Sequence, residues 1–185
     1  KEIPFAGHPT LGTAHILRET GKVLSGDYRI KLAMKAGVVT VTQGKKEDLL
    51  FMEQLLPDFQ HPLNCAEEIG KALGISNDDI RSTGRPIQIV STGLPVMLVP
   101  LASLKALGNI SVDTIRLRQF LATSGTDLLY AFTTQTFDPD ATIHSRAFAP
   151  ELGITEDPAT GSAAGAAGAY LSRNKLISKE DCEKI

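Results

Sequence analysis

Two short runs of this 185-residue chain hold the side chains best placed to do chemistry. One is Gly7-His8-Pro9-Thr10; the other is Asp157-Pro158-Ala159-Thr160-Gly161-Ser162. Each sets a proton-carrying group, His8 or Asp157, beside hydroxyls and a glycine, directly ahead of an apolar stretch rich in small residues. The start of a helix has N–H groups without intrahelical partners and a partial positive charge. Gly7 and Gly161 would let a ligand approach that backbone closely, and Thr10, Thr160 and Ser162 would add hydroxyl donors. The chemistry that fits is capture of a carboxylate or phosphate with acid–base work beside it. Plainer readings stand next to this one. Asp157, held extended by Pro158, serves equally as a turn cap, and Ser162 is either a ligand donor or an N-cap. His8 sits in a tight glycine turn, an awkward place for core filling, and a functional role is the better reading.

Other chemistries fit less well. No Gly-Lys-Ser/Thr follows either glycine run, so neither is a P-loop. Ser162 directly follows a glycine and lacks the G-x-S-x-G elbow, which weighs against a serine hydrolase. Four histidines and two cysteines, Cys65 and Cys182, show no metal-ligand spacing. A net charge of −2 with mixed signs offers no basic face for nucleic acid. Apolar runs fall far short of the ~20 residues of a membrane span, and no signal-peptide pattern is present. A globular protein of the reducing cytoplasm is expected, at 42% hydrophobic and 22% charged residues.

The elements that must position these residues follow from periodicity. Residues 10–18 read as a helix with Gly21 at its C-terminal cap. Tyr28, Ile30, Leu32 and Met34 alternate with Arg29, Lys31 and Lys35, a half-buried strand; Gly37 turns it, and strands at 38–42 and 49–53 complete an antiparallel set. The run LPDFQHPLN (56–64) marks a boundary, giving lobes at 1–60 and 61–185. The second lobe starts with a helix carrying Ala66, Ile69, Ala72 and Leu73 on one face, capped by Gly74. Strands follow at 87–91, 96–99, 128–133 and 143–148, with short helices near Leu104 and at 115–121. The run STGLPV (91–96) is an inter-strand turn with a weak claim on the same cleft. His144 and Arg146 share a strand face and read as edge charges or substrate contacts. Glu156 reads as solvated, and His15 and His61 as surface or packing residues.

The stretch EDPATGSAAGAAGAYL (156–171) contains Gly161, Gly165 and Gly168, each costing a helix about 1 kcal/mol relative to alanine. That cost makes sense where other backbone crowds the helix. A helix wrapped by strands on every side is the expectation; one laid on a single sheet face is the alternative. Segments 5–17 and 156–171 state the same theme twice: strand end, polar turn, small-residue helix.

FAGHPTLGTAHIL, STGLPVMLVPL and RAFAPELGITEDPATGSAAGAAGAYL resemble motifs of the PhzF-like phenazine-biosynthesis proteins, in the diaminopimelate-epimerase-like superfamily. The resemblance spans essentially the whole chain. It implies a two-lobed α+β fold, each lobe a curled mixed sheet around a central helix, with a cleft between the two helix N-termini. It also implies an isomerase without cofactor or metal, moving a proton on a small carboxylic acid, with a homodimer plausible. In that family a glutamate ahead of the GHPT-type motif is the acid/base, and the residues matching His8, Asp157 and Ser162 hold the substrate and assist. That glutamate segment lies outside this sequence, and typical members continue past Ile185, so the chain reads as an internal piece. A non-catalytic carboxylate-binding member, or a racemase-type relative, is the alternative.

Overall fold

The computed structural model describes residues 5–23, 29–44 and 49–177. Helix α1 (His8–Glu19) takes Pro9 in its first turn, where the missing N–H costs nothing. It ends at Thr20, with Gly21 at φ +65° and the N–H of Lys22 reaching back to the Leu17 carbonyl at 3.0 Å. Strands β1 (Arg29–Met34), β2 (Gly37–Gln43) and β3 (Leu50–Met52) form an antiparallel sheet in that order. Ile30, Leu32 and Met34 are half-buried while Arg29, Lys31 and Ala33 are exposed, as the alternation predicts; Tyr28 lies outside the described residues.

A six-stranded sheet follows. Strand β4 (Asp58–Phe59) precedes helices α2 (Ala66–Leu73) and α3 (Asn77–Arg81). Strands β5 (Gln88–Ser91) and β6 (Pro95–Pro100) form a hairpin, and helices α4 (Leu104–Gly108) and α5 (Thr114–Ser124) cross to β7 (Leu129–Thr133). Strands β8 (His144–Ala149) and β9 (Ile154–Asp157) lead into α6 (Gly161–Arg173). The sheet order is β4-β5-β6-β7-β8-β9, antiparallel throughout except for the parallel β6–β7 pair.

Both faces of this sheet are covered, so its central strands β6 and β7 are buried almost throughout and mostly apolar rather than alternating. Ile89, Met97, Val99, Leu129 and Phe148 face α2, α4 and α5, meeting Ile69, Leu73, Leu107 and Leu117. Val90, Val96, Leu98, Tyr130, Phe132 and Ala147 face α6, meeting Ala163, Ala166, Ala167 and Tyr170. Each Val, Leu, Ile, Met or Phe among them contributes about 1.5–3 kcal/mol on burial, and each alanine less. Tyr170 closes the second layer, its ring edge-on to Phe132 at 5.5 Å and its hydroxyl donating to the Pro86 carbonyl at 2.7 Å.

Helix α6 is not enclosed on every side. Its sheet-facing residues are buried, yet Ala164 is exposed and Gly165 and Ala169 are half-exposed. Among the described residues the six-stranded sheet covers one side of it, while Gln54, Leu55 and Leu56 border its outer flank. The small residues still serve close approach: a Cβ on Gly165 would meet the Gln54 side chain, its Cδ at 2.6 Å. Strand β4 lies inside the run read as a boundary, and two further elements depart from the sequence reading. Helix α3 is one short turn held by a Ser76–Asp79 capping box, and β9 is a mostly exposed polar edge strand.

Candidate functional site

The site forms where the starts of α1 and α6 meet. The chain entering α1 is pinned by Phe5, which is fully buried against Gly93 in the β5–β6 turn. Gly93 has φ +132°, and a Cβ there would lie 2.5 Å from the Phe5 ring, so a glycine is required on both counts. Two residues further, Gly7 brings the backbone of α1 onto that of α6. A Cβ on Gly7 would stand 3.3 Å from the Ser162 nitrogen and 3.6 Å from the Gly161 carbonyl carbon. Neither helix start has a side-chain cap hydrogen bond. Two partially positive helix ends thus stand against each other, each with N–H groups suited to an anion.

Beside this junction is a cleft of about 300 Å³ lined by His8, Tyr130, Ser145, Asp157, Thr160 and Gly161 among others. His8, in the first turn of α1, is exposed. Asp157 ends β9, opposite Ala147 of β8, and points into the turn that starts α6. Its carboxylate accepts the Thr160 hydroxyl at 2.7 Å and the Ala159 N–H at 3.2 Å. Those two bonds fix its orientation toward the cleft.

Of the residues singled out in the sequence, His8, Asp157, Thr160 and Gly161 come together around this space, with Gly7 directly behind it. Ser162 is half-buried, with its backbone against Gly7 and its side chain outside the cleft lining. Thr10 is elsewhere: it is buried, its hydroxyl donating to the Ala6 carbonyl at 2.6 Å and lying 3.9 Å from the Met34 sulfur. It secures the entry to α1 instead of offering a donor to a ligand.

Tyr130 and Ser145 are cleft residues that motif reading passes over. The pleat places them there. On β8, Ser145 and Ala147 face α6, so His144 and Arg146 face the opposite side. Arg146 is fully engaged there. It pairs through two nitrogens with both carboxylate oxygens of Glu156, at 2.7 and 2.8 Å, and donates to the Leu107 and Ile110 carbonyls at 3.1 Å. This hydrogen-bonded pairing holds the Glu156 carboxyl below its usual range and the Arg146 guanidinium above its own. Arg146 is therefore no substrate contact and Glu156 is not simply solvated. His144 is exposed, edge-on to Phe137 at 5.3 Å.

The STGLPV turn lines a different space. Thr92 donates to the Gln54 side chain at 3.1 Å and borders a cavity of about 460 Å³ on the outer flank of α6, with Leu55, Leu56, Gly165 and Gly168. Cys65 packs on the helical side of the sheet, away from α6, and burial with the nearby Glu68 pushes its thiol up to about 11. Cys182 lies outside the described residues. His15 and His61 are exposed. Among the described residues no cluster of histidine, cysteine, aspartate or glutamate could hold a metal ion, and no helix is long and apolar enough to cross a membrane.

With this geometry in place, likeness to known proteins becomes informative. A family model described as phenazine biosynthesis-like protein, PhzC-PhzF, matches residues 1–185. The uncharacterized isomerase YfhB of Bacillus subtilis is 33% identical over 92% of this chain and 58% of its own length. The trans-2,3-dihydro-3-hydroxyanthranilate isomerase of Pseudomonas aeruginosa is 30% identical over 95% of this chain and 58% of its own. A crystal structure of the Bacillus anthracis phenazine biosynthesis protein, PhzF family, superposes with a TM-score of 0.78 at 28% identity. It covers 92% of this chain and 58% of that one. The chain thus spans a little over half the length of the relatives it matches.

Proposed function

The chain belongs to the phenazine biosynthesis-like (PhzC-PhzF) family and has its diaminopimelate-epimerase-like α+β fold, and from that premise we propose that it acts as an isomerase on a small carboxylic acid gripped between the starts of α1 and α6. The carrying observation is the backbone contact of Gly7 with Gly161 and Ser162, which sets two uncapped helix ends side by side. Each end bears roughly half a positive charge. One carboxylate satisfies both better than solvent divided between them.

The chemistry follows from that grip. Taking a proton from carbon next to an unsaturated acid spreads negative charge onto the carboxylate oxygens. Fixed N–H donors near Gly7 and Gly161 meet that charge without reorganising. Returning the proton at another carbon completes an isomerisation in which protons and electrons balance internally, so no cofactor is called for. Asp157, oriented by Thr160 and Ala159, and His8 flank the reacting carbon and assist the transfer. Ser162 contributes through its place in the α6 start. The resemblance assigns the principal acid/base to a glutamate ahead of Gly7, outside this sequence. In this reading residues 1–60 and 61–185 are the two lobes, each bringing one helix start to the cleft. Relatives named as isomerases support it. Two-thiol racemisation suits the chain less, because the raised pKa of Cys65 keeps it a thiol on the wrong side of the sheet.

The test is hydrogen exchange. In D2O, with a panel of unsaturated carboxylic acids and amino acids, protein that includes the glutamate segment ahead of Gly7 should place deuterium on a ligand carbon. Binding of those acids without any exchange would leave a carboxylate-binding protein and remove the isomerase. Absence of binding across the panel would remove the helix-end site as well.

A further inference from the structure

Strand β9 ends in two adjacent carboxylates, Glu156 and Asp157, and successive side chains of a strand point to opposite faces. Which of the two reaches the cleft is a matter of register on β8. Ile154 pairs with Ala149. Continued without interruption, that pairing would set Glu156 opposite Ala147 and Asp157 opposite Arg146. Ala147 packs on the α6 face of the sheet, so Glu156 would look into the cleft and Asp157 away from it. The observed ladder has Asp157 opposite Ala147 instead. Between the two pairs β8 has one residue, Phe148, and β9 has two, Thr155 and Glu156. This bulge exchanges the carboxylates: Asp157 lines the cleft with His8, and Glu156 lies on the opposite face with Arg146.

A bulge leaves a ladder position unpaired and has to be held. Packing does not hold this one, because Ile154, Thr155 and Glu156 are all exposed. Two polar clamps act instead, one on each face. On the cleft face Asp157 is tied to Thr160 and Ala159 of the following turn. On the other, Nε and Nη2 of Arg146 grip both oxygens of Glu156, and its Nη1 is anchored on the Leu107 and Ile110 carbonyls. Four of the five guanidinium N–H groups are thereby used. The guanidinium also lies 5.3 Å from the centre of the Phe148 ring, the residue opposite the bulge. We infer that Arg146 and Glu156 are positioning residues that fix the β9 bulge from behind the sheet and so aim Asp157, in place of Glu156, into the cleft. The bearing of this on chemistry rests on the acid–base role proposed above for Asp157.

The experiment reads the register itself, through cross-strand backbone contacts seen by NMR in the 185-residue chain. In the wild type Ala147 should contact Asp157. Arg146→Met keeps an apolar side chain beside Phe148 but loses the fork, and Glu156→Ala removes the fork's partner. In each variant the Ala147–Asp157 contact should weaken by about half or more, with a new contact from Ala147 to position 156. Arg146→Lys, which keeps one charge for Glu156, should recover most of the wild-type contact. A pair that merely stabilised the fold would lower the thermal midpoint of both variants and leave the contact in place, and that result overturns the proposal. In protein that includes the glutamate segment ahead of Gly7, Arg146→Met should also lower kcat for deuterium exchange about tenfold. KM should change little, because the carboxylate grip at Gly7 and Gly161 is untouched. A shifted contact with kcat unaltered would overturn the bearing of the register on the chemistry. No exchange in the wild type would remove the isomerase reading alone, and the Ala147 contact would still decide the register.

Discussion

Helix α1 buries only Thr10 and Ala14 along its twelve residues, whereas α6 buries Ala163, Ala166, Ala167, Gly168, Tyr170 and Leu171. Both begin with a polar turn next to a glycine, and both open on the same junction. What separates them is the support. Helix α6 rests on a six-stranded sheet that is itself covered on its far face, while α1 packs against the short strand β3 of a three-stranded sheet. The start of α1 is held instead by a local clasp: Phe5 against Gly93, the Thr10 hydroxyl on the Ala6 carbonyl, and Gly7 against Ser162. Identical local sequence logic therefore yields one helix mounted by its whole length and one mounted by its first turn.

This contrast can be broken most forcefully at Tyr170. Its replacement by alanine should cost about 3–5 kcal/mol, against at most about 0.5 kcal/mol for Ile16→Ala on the open side of α1, where Ile16 is 58% exposed. Urea denaturation of the two variants measures both, and equal losses would abolish the asymmetry. The clasp itself is probed by Gly7→Val, which wedges a branched side chain against the α6 backbone and should weaken benzoate binding about tenfold. Gly12→Val, further along the same helix with open space around its Cα, should leave that affinity unaltered. The smallest effect compares glycines inside the helices. Gly12→Ala should stabilise by about 0.5–1 kcal/mol, because nothing lies near the new methyl. Gly165→Ala should yield no such gain, since its methyl displaces Gln54 and with it the hydrogen bond from Thr92. Thermal midpoints distinguish the two.

How far these features can be read from residue order depends on the range over which each is decided. Helix α2 is decided locally, by Ala66, Ile69, Ala72 and Leu73 on one face with Gly74 in the left-handed conformation behind them. So is β1, through its alternation. Helix α3 is five residues long and β9 carries Thr155, Glu156 and Asp157 on an exposed edge, so neither has an apolar period to betray it. For the site, the glycines and the Asp157 turn mark where backbone must be approached closely. Which face of β8 the cleft occupies is settled only by the pairing of β8 with β7 and the seat of α6. Alternation alone separates Ser145 from Arg146 without saying which of them sees the ligand. The small residues of α6 likewise announce crowding but not its direction: Ala163, Ala166 and Ala167 are buried toward the sheet, while Ala164 looks outward.

The parallel β6–β7 pair has a bearing on how the chain assembles. Its antiparallel neighbour β5–β6 can zip from a tight turn, with Ser91 already opposite Pro95. The parallel seam instead joins Met97 to Leu129 across the whole α4–α5 excursion, so its ends must find each other over a long intervening loop before any ladder bond rewards them. Leu107 and Leu117 on that excursion also supply the packing that covers the seam. Changes in α4 or α5 should therefore slow the acquisition of the native sheet more than changes in the hairpin turn, even though neither helix touches the cleft.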